Sequence, residues 1–274
     1  MCVRPVISRF CRSVDGMTTR RAVVTGASSG IGEAVVRALR AAGWDVVGVA
    51  RRAERLAALD AEVGSVSFAA DLTSTADVEA LAAHVSASGG AHALVHVAGG
   101  ARGTDRVEDG DPDDWRWMFE ANVVSAQLVT AALLPVLRET IADGGHADTV
   151  FVTSTAAQVA YPGGAGYNAA KAGESMLVHA LRLELNGEPI RVTEIAPGMV
   201  FTEEFTLNRL GGDHAAAERV YEGVAAPLTA GDVADVIVYA LDAPGHVNLD
   251  LVTMRPVAQS AQHLLARGPL RPRL

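Results

Sequence analysis

From residue 21 onward, short and continuously apolar runs alternate with longer segments whose apolar residues recur at helical spacing. This alternation leaves few folds open. The apolar runs are 22–25, 45–50, 66–69, 93–97, 148–153, 191–196 and 248–254. Helices are expected over 30–42, 54–62, 75–88, 112–137, 166–186 and 231–241, with a polar, partly helical excursion over 202–222. A strand without a polar face must be covered on both sides, and strands joined through helices run parallel. The pattern predicts an α/β fold: one doubly wound, seven-stranded parallel sheet with helices on both faces. No Pro- or Ser-rich linker and no fixed-period repeat divides the chain. A single domain over 19–260 is expected, followed by a tail over 261–274.

Residues 1–18 stand apart. Arg4, Arg9 and Arg12 occur there without the apolar stretch of a signal peptide. An Arg-rich transit peptide shares that composition; the simpler reading is a disordered extension, with Met17 the effective start of the domain. Both cysteines, Cys2 and Cys11, fall in this segment. They provide no disulfide framework and no metal-ligand spacing, and a cytoplasmic location is expected. The net charge of −9, from 32 acidic and 23 basic residues, argues against a nucleic-acid partner. No uninterrupted run of about 18 apolar residues occurs, so no membrane span is expected.

The segment Thr25-Gly26-Ala27-Ser28-Ser29-Gly30-Ile31-Gly32 lies between the first strand and the first helix. Gly26 suits a tight turn, Gly30 lets backbone approach a pyrophosphate, and Gly32 lets helix and strand pack closely. Free N–H groups at the helix N-terminus add an anion site. The spacing G-x-x-x-G-x-G, preceded by Thr25, resembles the short-chain dehydrogenase/reductase family, whose single domain is a Rossmann fold.

Tyr167 and Lys171 are four residues apart, on one face of a helix. A phenol ordinarily ionises near pH 10. A neighbouring ammonium favours the phenolate, so the pKa of Tyr167 is expected to fall and let it exchange a proton with a carbonyl oxygen. Ser154 ends the fifth strand, thirteen positions before Tyr167. Ligands of open α/β sheets bind at the carboxyl ends of strands. The resemblance implies that Ser154 hydrogen-bonds the substrate oxygen and that Asn122 kinks the fourth helix and holds a water in a relay to Lys171. It also implies that Pro197, Gly198, Val200 and Thr202 hold the nicotinamide end of a cofactor and that Asp71 and Leu72 contact adenine. For Asp71, a helix cap remains an equal alternative. After the fourth strand the family usually carries Asn-Asn-Ala-Gly; here the segment is His96-Val97-Ala98-Gly99. Ala98 and Gly99 keep the close approach to the cofactor, and His96 reads as a structural histidine.

Members specific for NAD place a carboxylate at the end of the second strand, against the ribose. Here that residue is Ala50, followed by Arg51 and Arg52. With no carboxylate to repel a phosphate and a guanidinium to bind it, NADP is the expected cofactor. The resemblance then implies hydride transfer between nicotinamide and a carbonyl or secondary alcohol, with Tyr167 as general acid/base. An epimerase or dehydratase, or a non-catalytic NADP sensor, are the alternatives; sensors typically lose Tyr or Lys, and both are kept. The substrate is less legible. Arg102, Arg106, Gln158, Tyr161, Arg209 and His214 lie in the loops that would contact it. Residues 248–260 are similar to the 3-hydroxy acid (serine-type) dehydrogenase branch, with an acyl-thioester ketoreductase as an alternative. The helices over 112–137 and 166–186 imply a homotetramer or homodimer.

Overall fold

The computed structural model describes residues 19–272; the expected extension over 1–18, with both cysteines, lies outside them. The first half runs β1 (Arg21–Thr25), α1 (Gly30–Ala41), β2 (Asp45–Ala50), α2 (Ala53–Val63), β3 (Val66–Ala69), α3 (Thr75–Ala87) and β4 (Ala93–His96). The second half runs α4 (Pro112–Phe119), a π-helical turn (Glu120–Val124), α5 (Ser125–Thr140), β5 (Ala147–Val152), α6 (Ala165–Glu184), β6 (Ile190–Pro197), β7 (Val200–Phe201), α7 (Phe205–Arg209), α8 (His214–Tyr221), β8 (Leu228–Thr229), α9 (Ala230–Leu241), β9 (Leu251–Met254) and a hairpin of β10 (Gln259–Ala261) with β11 (Leu264–Leu265).

The main sheet has the order β3-β2-β1-β4-β5-β6-β9, and every pairing in it is parallel. The seven strands of the sequence reading are these seven. The chain leaves β1 toward β3, then returns to β4 on the other side of β1. That reversal opens a crevice at the carboxyl ends of β1 and β4.

Alternation along β1 divides the core. Ala22 and Val24 face the layer of α1, α2 and α9, where Val35, Leu39, Trp44, Ile237 and Leu241 are buried. Val23 faces the layer of α3, α5 and α6, with Leu81, Val85, Leu133, Phe151 and Val178. Small side chains let helices sit close to the sheet, as the low aromatic content requires.

Three expectations change. The helix expected over 112–137 extends to Thr140 with Pro135 inside it, and the kink that the resemblance implied at Asn122 is a π turn, Glu120–Val124. By length and composition this 29-residue run is apolar enough to cross a bilayer; its Val129, Leu133, Val136 and Leu137 are buried against the sheet. The last strand is shorter than 248–254, because Asn248 turns its side chain onto the backbone of Val192 instead of pairing. Finally, the stretch after 260 is not a separate tail. Ala261 belongs to the β10–β11 hairpin, and Val224 bridges to Arg267.

Candidate active site

A cleft of about 1070 Å³ lies at the carboxyl ends of the central strands. It is lined at one end by Gly26, Ser28, Ser29, Gly30, Ile31, Gly32, Arg51, Arg52, Asp71 and Leu72, and at the other by Ser154, Tyr167, Pro197, Gly198, Val200 and Thr202. Ala98 and Gly99 lie between. The structure thus brings together the residues singled out from the sequence; Asn122 and Lys171 sit directly behind the wall.

The glycine-rich turn is set by close contact. Gly26 has φ +71°, and a β-carbon there would approach Ala98 N to 2.9 Å. A β-carbon on Gly32 would collide with the Gly26 carbonyl. Thr25 fixes the facing loop: its Oγ1 accepts hydrogen bonds from the N–H groups of Val97 (3.0 Å) and Ala98 (3.1 Å).

Arg52 reaches over this turn, donating to Ser28 Oγ (2.9 Å) and Ser29 Oγ (2.8 Å). Arg51 lines the cleft beside it. The absence of a carboxylate here, read from Ala50, holds only locally: Glu204 comes from 152 residues away to lie 2.9 Å from Arg52. No sequence signal marks that pairing. Asp71 points its carboxylate into its own loop, accepting from Thr73 N (3.0 Å) and Oγ1 (2.8 Å), which holds it below the usual carboxylate range. The helix cap of α3 is Ser74, not Asp71.

Ser154 leads off a short 3₁₀ turn, Thr155–Ala157. Its hydroxyl accepts from Ala156 N (3.0 Å) and donates to Pro197 O (3.4 Å). Tyr167 is buried, with the edge of Phe205 at 5.7 Å and the Arg209 guanidinium at 5.6 Å from its ring. Lys171 donates to Val152 O (3.1 Å) and Glu174 Oε2 (2.6 Å).

The expected acidity is corrected chiefly by burial. Burial pushes the Tyr167 phenol above its ordinary pKa, and the pull of Lys171 does not offset it. Glu174, 1% exposed and three residues past Lys171, opposes the ammonium's field at the phenol. Its i,i+3 spacing from Lys171 was the available signal. Burial raises Glu174 itself to about 7.

Asn122 is fully buried in the π turn. Its side-chain amide donates to Gly100 O (2.9 Å) and Met118 O (2.6 Å), while Oδ1 accepts from Gly100 N (3.1 Å). Both amide hydrogens are therefore committed to backbone, and its link to a water relay would run through the backbone that the π turn rearranges. His96 stacks on Phe151 at 4.2 Å and meets Thr130 Oγ1 at 3.2 Å. Burial holds its pKa down to about 3, so it is neutral and lies off the cleft.

Among the loop residues, Arg102 stacks over Trp117 at 4.1 Å, and Arg209 bonds the Tyr161 hydroxyl at 2.9 Å. Arg106 pairs with Glu108 in solvent, Gln158 bonds Thr253, and His214 opens α8; neither these three nor Tyr161 and Arg209 line the cleft. Trp117, Arg116, Glu120, Phe205 and Asn208 do, and were not singled out.

A nicotinamide cofactor fits these residues. Thr202 Oγ1 is shut off from solvent on the cleft wall without a hydrogen-bond partner, and the glycine turn presents bare backbone at the opposite end.

Residues 20–209 match the profile of the short chain dehydrogenase family. An uncharacterised oxidoreductase of Mycobacterium tuberculosis is 49% identical over 256 residues, covering 93% of this chain and 98% of the relative. The serine 3-dehydrogenase of Agrobacterium fabrum is 39% identical over 241 residues, covering 87% and 94%. The closed form of a serine dehydrogenase complexed with NADP+ superposes with a TM-score of 0.84 at 33% identity, covering 91% of this chain and all of that one. The chain belongs to the short-chain dehydrogenase/reductase family.

Proposed function

We propose that this protein is an NADP(H)-dependent oxidoreductase that interconverts a carbonyl and an alcohol, with Tyr167 as general acid/base. The observation that carries the reading is that Ser154 and Tyr167 both line one cleft, with Lys171 buried one helical turn behind the phenol. When bound, the cofactor supplies or accepts hydride at its nicotinamide. Tyr167 gives its proton to the carbonyl oxygen in reduction and takes it back in oxidation. Ser154 holds that oxygen. Lys171 keeps one N–H free of Val152 and Glu174 for the cofactor ribose. Asn122 shapes the backbone through which the relay to Lys171 passes. At the adenosine end, Ser28, Ser29, Arg51 and Arg52 hold the 2′-phosphate, Asp71 and Leu72 flank adenine, and Pro197, Gly198, Val200 and Thr202 hold the carboxamide.

The substrate is a small hydroxy acid or its oxo counterpart. Arg209 is held by neutral oxygens and has no carboxylate within ion-pair distance among the described residues, and its guanidinium lies 5.6 Å from the Tyr167 ring, within reach of a substrate carboxylate bound there. The serine dehydrogenases to which the chain is similar act on such a compound by name.

The enzyme assembles as a homodimer or homotetramer through the helical faces on which Phe119, Met176 and Leu183 stand exposed. Two cysteines in 274 residues fit a cytoplasmic location. A spectrophotometric screen of NADP+ and NAD+ reduction over serine, 3-hydroxypropanoate, 3-hydroxybutyrate and neutral secondary alcohols tests the reading. Turnover with NADP+ and a hydroxy acid is expected. Activity confined to NAD+, or to neutral alcohols, would count against it.

A further inference from the structure

Glu204 sits on the cleft wall immediately before α7. Its carboxylate lies 2.9 Å from Arg52 and 2.6 Å from Arg55, with the Ser29 hydroxyl beside it. These partners are about 150 residues away in sequence and belong to the cofactor half of the site. The same short helix carries Phe205, whose edge meets Tyr167, and Arg209 at its far end. Arg209 is fastened to the substrate side by Tyr161 Oη (2.9 Å), Gly163 O (3.0 Å) and Gly103 O (3.2 Å). The 204–209 segment is therefore a strap tied at both ends, and one tie uses the guanidinium that also bonds Ser28 and Ser29.

We propose that Glu204 is a positioning residue that, through the shared Arg52, couples the 2′-phosphate end of the cleft to the strap carrying Phe205 and Arg209 over Tyr167. This rests on the NADP reading above. Arg52 offers distinct edges: Nη1 goes to Glu204, while Nε and Nη2 face the serine hydroxyls. A phosphate on the serine side need not displace the carboxylate. Charge agrees. Arg51, Arg52 and Arg55 outnumber the carboxylates near them, Glu204 and Asp71, and the net positive charge suits a phosphate monoester. A phosphate would then hold Arg52 in place, and Arg52 would hold Glu204 and the strap. A cofactor lacking the phosphate fills the cleft without tightening this tie.

The test is amide hydrogen–deuterium exchange of the 203–210 segment in the full chain. Wild type, Glu204→Gln and Arg55→Gln are compared without cofactor, with saturating NADPH and with saturating NADH. Arg55 does not line the cleft, so its variant probes the tie apart from cofactor contacts. Without cofactor, both variants should exchange about threefold faster than wild type, the scale of one partly exposed ion pair. NADPH should slow exchange in wild type more than NADH does, and Glu204→Gln should erase that difference while its NADPH Kd stays within about threefold. Exchange unchanged in both variants would overturn the proposal. So would NADPH speeding exchange, or about tenfold tighter NADPH binding by Glu204→Gln, since either would make the carboxylate a competitor of the phosphate. A wild type that binds no NADPH would defeat the cofactor reading, while the cofactor-free comparison would still decide whether Glu204 holds the strap.

Discussion

Lys171 Nζ and Glu174 Oε2 are 2.6 Å apart, both side chains buried on one helix face, one and two turns beyond Tyr167. The ammonium that serves the phenol thus carries its own counter-ion. Alcohol oxidation needs the phenolate, so its rate should rise with pH toward the alkaline side, following a phenol that burial has pushed up.

Removing the carboxylate's charge reverses part of this. In Glu174→Gln the ammonium is uncompensated, and the phenolate gains its full attraction. The alkaline limb of kcat for oxidation should move to lower pH, with cofactor affinity little changed. A pH profile of Glu174→Gln that overlays wild type would show that Glu174 does not act on the phenol.

Arg52→Ala removes the guanidinium poised over Ser28 and Ser29. NADPH binding should weaken about 10- to 100-fold, the worth of charge-assisted hydrogen bonds, while NADH binding changes little. Fluorescence titration of both cofactors reads this directly. Equal losses for the two would place the 2′-phosphate elsewhere.

Most of the fold was legible because its signals are local. Continuous apolar runs such as 45–50 mark buried parallel strands, and the Thr25–Gly32 segment sits where strand and helix must turn. Ser154, Tyr167 and Lys171 could be singled out by their spacing along a strand end and a helix, and Asn122 through the family resemblance. What escaped was set by partners distant in sequence or by geometry no spacing encodes. Glu204 meets Arg52 only after the chain has crossed the sheet. The kink at Asn122 was implied by the resemblance, but not that its side chain would bond Gly100 across the cleft wall. The acidity of Tyr167 depends on burial, and periodicity does not report how much a phenol loses in solvation.

His96 predicts an acid dependence of stability. The folded state keeps it neutral down to about pH 3, whereas in the unfolded chain it takes up a proton near pH 6.5. Between these values the unfolded state binds more protons, so stability falls as pH falls through that window. In His96→Asn the loss of urea midpoint between pH 7 and pH 5 should be smaller than in wild type. Equal slopes would mean that His96 is not the buried neutral group described.

Arg209→Gln removes the cation beside Tyr167. KM for a carboxylated substrate should rise about tenfold or more, with kcat/KM for a neutral ketone changing less than about threefold. Equal effects on both would assign Arg209 to holding Tyr161 and Gly163 rather than to substrate charge.

The central claim is that Tyr167 carries the transferred proton, and Tyr167→Phe tests it most directly. The substitution keeps the ring against Phe205 and removes only the hydroxyl. Turnover and NADPH affinity should be measured on the same folded sample. The account predicts a loss of about 10²- to 10⁴-fold in kcat, the usual worth of general acid–base catalysis, with NADPH Kd near that of wild type. A Phe variant that binds NADPH and turns over at the wild-type rate would contradict it.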